Sequence, residues 1–354
     1  MFATCKALLT RRSAPARHPA MGSSAPRQLQ VLFCGEEFTW GFRFSKEALE
    51  AEPDIEVRQC RREDVGKEVG SAHMAVPLMA KLDAAMLEKA HHLKVILQYG
   101  VGVEGVDIPA ATARGIHVSN IPSEGTGNAL SCAEMAMYLA LACLRSASAM
   151  AESIQHGRVG VPLGKTLYGK SVLIVGFGGI AKELVPRLKA FGVHITAVRR
   201  SAWGKAEDAA AEAALDAKGL WGQMSSLTGQ ADIIILATSQ DATNRGFVNK
   251  AFLSACKPGV IIVNVARGGL LDYESVKEGL QTGQIGHLGL DVQWIEPFDP
   301  EDWIAKHPRV LLTPHVAGVT ELSYKRMAQI VATEARRMRS GLPPSILLNN
   351  ITVQ

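Results

Sequence analysis

The chain has 354 residues, of which 47% are hydrophobic and 20% charged. This composition excludes an intrinsically disordered protein, and the length predicts two or three domains. The longest apolar run, Met135–Leu144, has 10 residues and excludes a membrane-spanning helix, which needs about 18. The six cysteines include no Cys-x-x-Cys pair, so the sequence predicts neither a disulfide framework nor a structural zinc site. We expect a reducing compartment.

The net charge of +4 originates in the N-terminal segment. Residues 1–35 contain five basic residues and no acidic one, and the remainder has 33 basic and 34 acidic residues. Nucleic-acid binding by the body of the protein is therefore not expected. Residues 1–28 are rich in Ala, Ser and Arg, which is typical of a transit peptide for a chloroplast or mitochondrion. The alternative is an untargeted tail on a cytoplasmic protein.

Strand-like and helical segments alternate from Gln30–Cys34 to the end of the chain. This alternation predicts an α/β architecture with mainly parallel strands. Asn128–Leu144 predicts a long helix whose apolar side chains pack within the chain or against a second subunit. Ala209–Lys218, rich in Ala, Glu and Asp, predicts a solvated helical insertion.

A glycine-rich turn follows the buried strand predicted at Val172–Val175. Gly176 allows a tight turn and Gly178 lets the backbone approach a pyrophosphate, whose charge suits the N-terminus of the next helix. The helical pattern Lys182–Ala190 and the strand-like run Val193–Val198 complete the unit. The order strand, turn, helix, strand predicts a dinucleotide site. A methyltransferase is the alternative that a glycine turn alone leaves open.

Two arginines, Arg199 and Arg200, follow the second strand of this unit. Sites for NAD usually place an acidic residue there, which binds the ribose 2′-hydroxyl. Arginines would instead attract a 2′-phosphate through charge-assisted hydrogen bonds, unless they are solvated loop residues. The sequence therefore predicts a preference for NADP(H), with NAD(H) as the alternative.

Three later strand-like runs are each followed by a polar residue: Arg267, Glu296 and His315. Any one of them alone has an ordinary explanation as a capping or surface residue. Because ligands bind beyond the carboxyl ends of parallel strands, we expect the three side chains to share one site.

Four ordered motifs are similar to the signatures of the D-isomer-specific 2-hydroxyacid dehydrogenases. They are Tyr99–Thr112, Asn264–Asp272, Gly289–Pro297 and Thr313–Gly318, and the similarity extends from about Val31 to Val353. The resemblance implies two Rossmann-like, doubly wound parallel-sheet domains. A dinucleotide-binding domain at residues 124–318 would be inserted between residues 29–123 of a substrate domain and its return segment, residues 319–354.

The resemblance also implies a role for each polar strand-end residue. His315 would be the general acid and base, and Glu296 the carboxylate that orients its ring. Arg267 would bind the carboxylate of the substrate and polarise its carbonyl group. The enzyme would transfer a hydride between a nicotinamide and a small 2-keto or 2-hydroxy acid.

Further contacts are implied for the substrate and the cofactor. The backbone amides of Val101, Gly102 and Val103 would cradle the substrate carboxylate, and Asp291 would bind the nicotinamide carboxamide. The full set of implied cofactor contacts is Gly176, Gly178, Gly179, Ile180, Arg199, Arg200, Thr238, Val265 and Asp291. No metal ion is expected.

Pro77 stands where the 3-phosphoglycerate dehydrogenases of this family carry an arginine that contacts the substrate phosphate. We therefore expect an unphosphorylated substrate, glyoxylate or hydroxypyruvate, with a D-3-phosphoglycerate dehydrogenase as the alternative. A dinucleotide-sensing, corepressor-like binding protein is the alternative of another class. The family resemblance makes the helix Asn128–Leu144 part of a homodimer interface.

Overall fold

The computed structural model describes residues 28–351, which form two compact units. The first unit contains the chain up to Tyr99, Val103–Ile121 and the chain from Gln329 onward. The second contains Gly100–Gly102 and Pro122–Ala328. The segment predicted to be a transit peptide, residues 1–28, lies outside the described residues except for its last residue.

The first unit is a five-stranded parallel sheet with the strand order β2-β1-β3-β4-β5. Its strands are β1 Leu29–Cys34, β2 Ile55–Cys60, β3 Met74–Pro77, β4 Val95–Gln98 and β5 His117–Asn120. Its helices are α1 Thr39–Ala48, α2 Val65–Glu68, α3 Ala84–Glu88 and α4 Ile108–Ala113. The apolar run of β1 is almost wholly buried, as expected for a central parallel strand.

The second unit is a seven-stranded parallel sheet with the strand order β12-β11-β10-β9-β6-β7-β8. Its strands are β6 Ser171–Val175, β7 His194–Arg199, β8 Ala217–Leu220, β9 Ile233–Leu236, β10 Val260–Asn264, β11 Ile285–Leu290 and β12 Val310–Leu312. Its helices are α5 Asn128–Leu144, α6 Ala147–Gln155, α7 Gly179–Ala190, α8 Ala209–Glu212, α9 Met224–Thr228, α10 Lys250–Ser254 and α11 Tyr273–Thr282. The direction of winding reverses between β6 and β9, where a doubly wound sheet offers its ligand crevice.

The remaining elements complete the two units. The helix α12, Glu321–Arg339, begins in the second unit and ends in the first. Short 3-10 turns lie at Arg62–Asp64, Val69–Ser71, Ala206–Asp208, Trp221–Gln223 and Gly268–Leu270. In the first unit, Asn349 ties the return segment to β5, since its side chain accepts a hydrogen bond from the Val118 amide at 2.8 Å.

The predicted α/β fold with two Rossmann-like parallel sheets is confirmed, as is the long helix at Asn128–Leu144. The helix α5 packs on α7, β10 and β11, so its apolar residues belong largely to the core. The prediction of a helical insertion over Ala209–Lys218 is wrong for most of its length. Only Ala209–Glu212 is helical, and Ala217 begins the edge strand β8. Three residues of β8 are exposed, so it lacks the apolar run that revealed the central strands.

Two findings concern other classes of site within residues 28–351. None of the individual helices there is long and apolar enough to cross a membrane, although α5 and α6 together, as a pair bent by 57°, have the required length and composition. Nor does this part of the chain bring together three or more His, Cys, Asp or Glu side chains that could hold a metal ion.

Candidate active site

The glycine turn joins β6 to α7 at the point where the sheet reverses its winding. Gly176 has a φ of 104°, and a Cβ there would lie 2.5 Å from the carbonyl oxygen of Ala237. Only glycine fits, because any side chain would collide with the end of β9. The turn therefore packs directly on the end of β9. The helix α7 begins just after the turn, at Gly179.

Gly178 has a different reason to be glycine. Among the described residues, no heavy atom lies within 4 Å of the position that its Cβ would take. The space beside the start of α7 is thus open, and the first amides of a helix have no partner within the helix. A pyrophosphate fits such a cradle, because an approaching anion meets backbone N–H groups and the positive end of the helix dipole.

The two arginines at the end of β7 lie in different surroundings. Arg199 is buried, and its Nη1 donates to Asp208 Oδ2 at 2.7 Å. Asp208 also pairs with Lys182 at 3.3 Å. Burial raises the pKa of Asp208, but hydrogen bonds from Arg199 and Lys182 outweigh it and hold the pKa below the ordinary value. Arg200 is exposed and pairs with Asp241, in the loop after β9.

The end of β10 is fixed by a buried amide. Asn264 is fully buried, its Nδ2 donates to the carbonyl of Arg267 at 2.8 Å, and its Oδ1 accepts from the amide of Ala266 at 3.0 Å. A Cβ on Gly268 would lie 2.0 Å from the carbonyl oxygen of Gln293. The missing side chain at 268 therefore lets the turn that carries Arg267 pack directly on the backbone of the segment after β11.

That segment brings Glu296 to His315. The ring Nδ1 of His315 lies 2.7 Å from Glu296 Oε2, and Glu296 Oε1 accepts from the amide of Gln293 at 2.9 Å. Burial raises the pKa of Glu296, but the bond to His315, the bond from Gln293 and the charge of Arg267 together lower it below 4.5. Glu296 is thus an ionised carboxylate that favours a proton on Nδ1 of the ring.

Asp291 holds the backbone on which His315 stands. Its side chain is buried and accepts hydrogen bonds from Thr313 Oγ1 at 2.6 Å and from the amides of Val316 and Ala317 at 2.9 Å. The amide of His315 donates to the Asp291 carbonyl at 2.8 Å. His315 has a φ of 56°, a conformation that a non-glycine residue keeps only when its surroundings impose it, as they often do at functional sites.

The chain is similar to known proteins of one family. Residues 137–317 match the model of the D-isomer specific 2-hydroxyacid dehydrogenase, NAD binding domain. A glyoxylate reductase of Thermococcus kodakarensis is 30% identical over 325 residues, which is 89% of this chain and 94% of that protein. A hydroxypyruvate reductase of Thermotoga maritima is 32% identical over 260 residues, 72% of this chain and 80% of that protein. The crystal structure of the TT0316 protein from Thermus thermophilus has a TM-score of 0.77 and 26% identity, covering 91% of this chain and 100% of that one.

The chain belongs to the D-isomer-specific 2-hydroxyacid dehydrogenase family. The resemblance read from the four motifs is thereby confirmed. The chain is a nicotinamide-dependent oxidoreductase that acts on a CH–OH group. It spans about half of the length of the D-3-phosphoglycerate dehydrogenases that it matches, 54% of one from Archaeoglobus fulgidus and 53% of one from Mycobacterium leprae.

The second unit of this 2-hydroxyacid dehydrogenase contains all three residues with implied catalytic roles. His315 is hydrogen-bonded to Glu296, and the charge of Arg267 lowers the pKa of Glu296. Among the implied cofactor residues, Val265 is buried after β10 and Thr238 follows β9. Ile180 is half-buried in the first turn of α7.

The three residues implied to cradle the substrate carboxylate are assigned to different units. Val101 and Gly102 belong to the second unit and Val103 to the first. The side chain of Val101 is exposed.

Sequence reasoning missed two supporting residues. Asn264 and Thr313 are both short polar residues at strand ends. Asn264 donates to the carbonyl of Arg267, and Thr313 donates to Asp291, so each supports a turn that carries a predicted site residue. A single sequence gives no sign that these side chains turn inward. The contact of Asp291 with the nicotinamide stays a prediction, and the hydrogen bonds within the chain add a second role, the support of the His315 turn.

The lowered pKa of Glu296 predicts how stability depends on pH. A carboxyl whose pKa is lower in the folded state stabilises the fold above its unfolded-state pKa, and this contribution is lost as pH falls through the folded-state pKa. Wild type should therefore be more stable than Glu296→Gln near neutral pH, and its advantage should shrink below about pH 4.5. Urea unfolding at a series of pH values measures the difference.

The variant Glu301→Gln, which removes an exposed partner of Lys306, controls for the loss of one negative charge. If the advantage of wild type over Glu296→Gln stayed constant or grew as pH fell from about 4.5 to 3, Glu296 would not be an ionised partner of His315.

Proposed function

We propose that this enzyme is a 2-keto acid reductase that acts on glyoxylate or hydroxypyruvate, with NADPH as the preferred reductant. The observation that carries the proposal is the imidazole of His315, hydrogen-bonded through Nδ1 to the carboxylate of Glu296, whose pKa the charge of Arg267 also lowers. The names of the relatives from Thermococcus kodakarensis and Thermotoga maritima support a small keto acid as substrate.

Arg267 and His315 have separate roles in the reduction of the keto acid. The guanidinium of Arg267 pairs with the substrate carboxylate and draws electron density from the adjacent carbonyl, as its planar fork of donors allows. With Nδ1–H committed to Glu296, Nε2 is the ring atom that exchanges a proton with the substrate oxygen. When bound, the reduced nicotinamide supplies the hydride to the carbonyl carbon.

The carboxylate of Glu296 serves the proton transfer in two ways. It fixes the tautomer and the orientation of the ring through the bond at 2.7 Å. When His315 transfers its proton to the developing alkoxide, the carboxylate keeps the ring in place for the transfer. In the oxidative direction the neutral ring accepts the hydroxyl proton.

The preference for NADP(H) rests on the end of β7, where Arg199 and Arg200 occur and residues 198–201 include no acidic side chain. A 2′-phosphate would find a cation there, and the end of β7 itself provides no acidic acceptor of the kind that binds the ribose 2′-hydroxyl at NAD sites. Reduction would then be the physiological direction.

A homodimer is part of the proposal. The stretch from α5 to β6 exposes several large apolar side chains, among them Ile154 at 80%, Val159 at 97% and Leu163 at 96%. Apolar side chains clustered in sequence and exposed to this degree are typical of a surface covered by a partner. The composition of residues 1–28 further supports import into an organelle.

The role of His315 predicts a selective loss of turnover. Asparagine tolerates the φ of 56° better than alanine does, so His315→Asn removes the titrating group with little backbone strain. We expect kcat for keto acid reduction to fall by about 10²- to 10⁴-fold, with the Kd of NADPH little changed. Arg267→Ala should instead raise KM and also lower kcat.

His194→Ala is the matched control, because this exposed histidine begins β7 at the opposite edge of the same sheet. It should leave kcat unchanged. If His315→Asn retained wild-type kcat, the assignment of His315 as proton donor would be wrong.

The substrate and cofactor preferences are tested together by steady-state kinetics. Glyoxylate, hydroxypyruvate, pyruvate and 3-phosphohydroxypyruvate are each assayed with NADPH and with NADH. We expect the highest kcat/KM with glyoxylate or hydroxypyruvate and NADPH. The highest value with 3-phosphohydroxypyruvate would make the enzyme a phosphoglycerate dehydrogenase, equal or better use of NADH would contradict the cofactor preference, and no turnover with any acid would contradict the reductase.

A further inference from the structure

The two arginines after β7 are not equivalent. Arg199 as a whole residue is 8% exposed. Its guanidinium is hydrogen-bonded to Asp208 at 2.7 Å, and the guanidinium carbon lies 5.2 Å from the centre of the Trp203 ring. Its charge is matched by a buried carboxylate. If Arg199 turned away from Asp208 to bind a phosphate, that buried carboxylate would be paired only with Lys182. The loss of a partner from a buried charge destabilises the fold. Arg199 is thus a structural residue.

Arg200 is accessible and is held by three groups. Its guanidinium donates to a carboxylate oxygen of Asp241 and to the carbonyl of Ser239 at 3.2 Å, and it lies 5.5 Å from the centre of the Trp221 ring. Arg200 follows β7, and Asp241 follows β9. Since β6 lies between these two strands, the ion pair spans the sheet edge at which the glycine turn leaves β6.

We propose that Arg200 alone binds the 2′-phosphate of NADP(H), and that Asp241 competes with the phosphate for Arg200 and so limits the preference for NADP(H). This inference rests on the dinucleotide site of the proposed function. It makes Asp241, in the loop after β9, a residue that determines cofactor specificity although the arginines follow a different strand, β7.

The competition follows from the exposure and the bonding of the pair. The side chains of Arg200 and Asp241 are 39% and 43% exposed, and an ion pair so open to solvent is weak enough for a phosphate to displace. Asp241 does not move away easily, because its Oδ1 also accepts from the amide and the hydroxyl of Thr243, at 2.8 and 2.6 Å. The displaced carboxylate therefore stays beside the phosphate, and the two negative charges repel each other.

The carboxylate also stays charged at every pH of interest. Hydrogen bonds from Thr243 and Arg200 lower the pKa of Asp241 to about 2. Mild acidification cannot remove its charge, so a substitution is needed. Asp241→Asn suits this purpose, since an asparagine can keep Oδ1 as the acceptor for Thr243, while an uncharged amide nitrogen replaces Oδ2, the partner of Arg200.

The test measures binding of two nucleotides that differ only by the 2′-phosphate, 2′,5′-ADP and 5′-AMP, by isothermal titration calorimetry on the full chain. For Asp241→Asn we expect the Kd of 2′,5′-ADP to fall about three- to fivefold, the size expected for losing a weak ion pair, with 5′-AMP unchanged. For Arg200→Gln we expect the Kd of 2′,5′-ADP to rise about tenfold or more, with 5′-AMP again unchanged.

Glu278→Gln is the matched control. It removes the same charge from an exposed ion pair with Lys250, near the end of α11, a helix that runs back toward the opposite edge of the sheet. It should change neither Kd. If Asp241→Asn behaved like this control, or if Arg200→Gln left 2′,5′-ADP binding unchanged, the inference would be overturned.

These results are separable from the proposed function. Wild type could favour NADPH over NADH while Asp241→Asn has no effect, which would overturn only the competition. Conversely, wild type could favour NADH while Asp241→Asn tightens 2′,5′-ADP binding, which would support the competition and contradict only the cofactor preference.

Discussion

A single buried carboxylate, that of Asp291, organises the turn that carries His315 in the second unit. It receives three hydrogen bonds from the turn after β12, and its own carbonyl receives the amide of His315. A buried charge is stable only when its acceptor sites are filled, so the turn and the carboxylate depend on each other. The consequence is a histidine held at a φ of 56° with its ring against Glu296. The hydrogen bonds to Asp291 maintain the turn, and the turn imposes the positive φ of His315.

The other strand ends are built on the same plan, a buried polar side chain that fixes a turn. Asn264 fills its hydrogen bonds with the backbone around Arg267. Gly176 and Gly268 contribute because they have no side chain. Each lets two backbone segments approach more closely than a side chain would allow. The side chains of Arg267 and His315 can therefore be accessible while buried hydrogen bonds hold the backbone that carries them. Placing a site on rigid strand ends is what a reaction that depends on ångström-scale positioning requires.

The sequence was enough to predict the parts that follow from short-range rules. The strand β6, the glycine turn and the helix α7 are readable because a continuous apolar run, a required glycine and a helix start occur in order. The strand-end positions of Arg267, Glu296 and His315 follow from the same reasoning. What could not be read depends on contacts between distant segments. The edge strand β8 has no apolar pattern, and the burial of Arg199 depends on Asp208, which approaches it only in the folded chain.

The central claim is that His315 and Glu296 act as one unit in proton transfer, and a double-mutant cycle tests it most directly. The measured quantity is kcat/KM for glyoxylate reduction by wild type, His315→Asn, Glu296→Gln and the double variant. If Glu296 acts only through His315, the double variant should be no slower than His315→Asn, giving a coupling energy of at least about 1 kcal/mol. Effects of the two substitutions that simply multiply would contradict the account, because the carboxylate would then contribute independently of the imidazole.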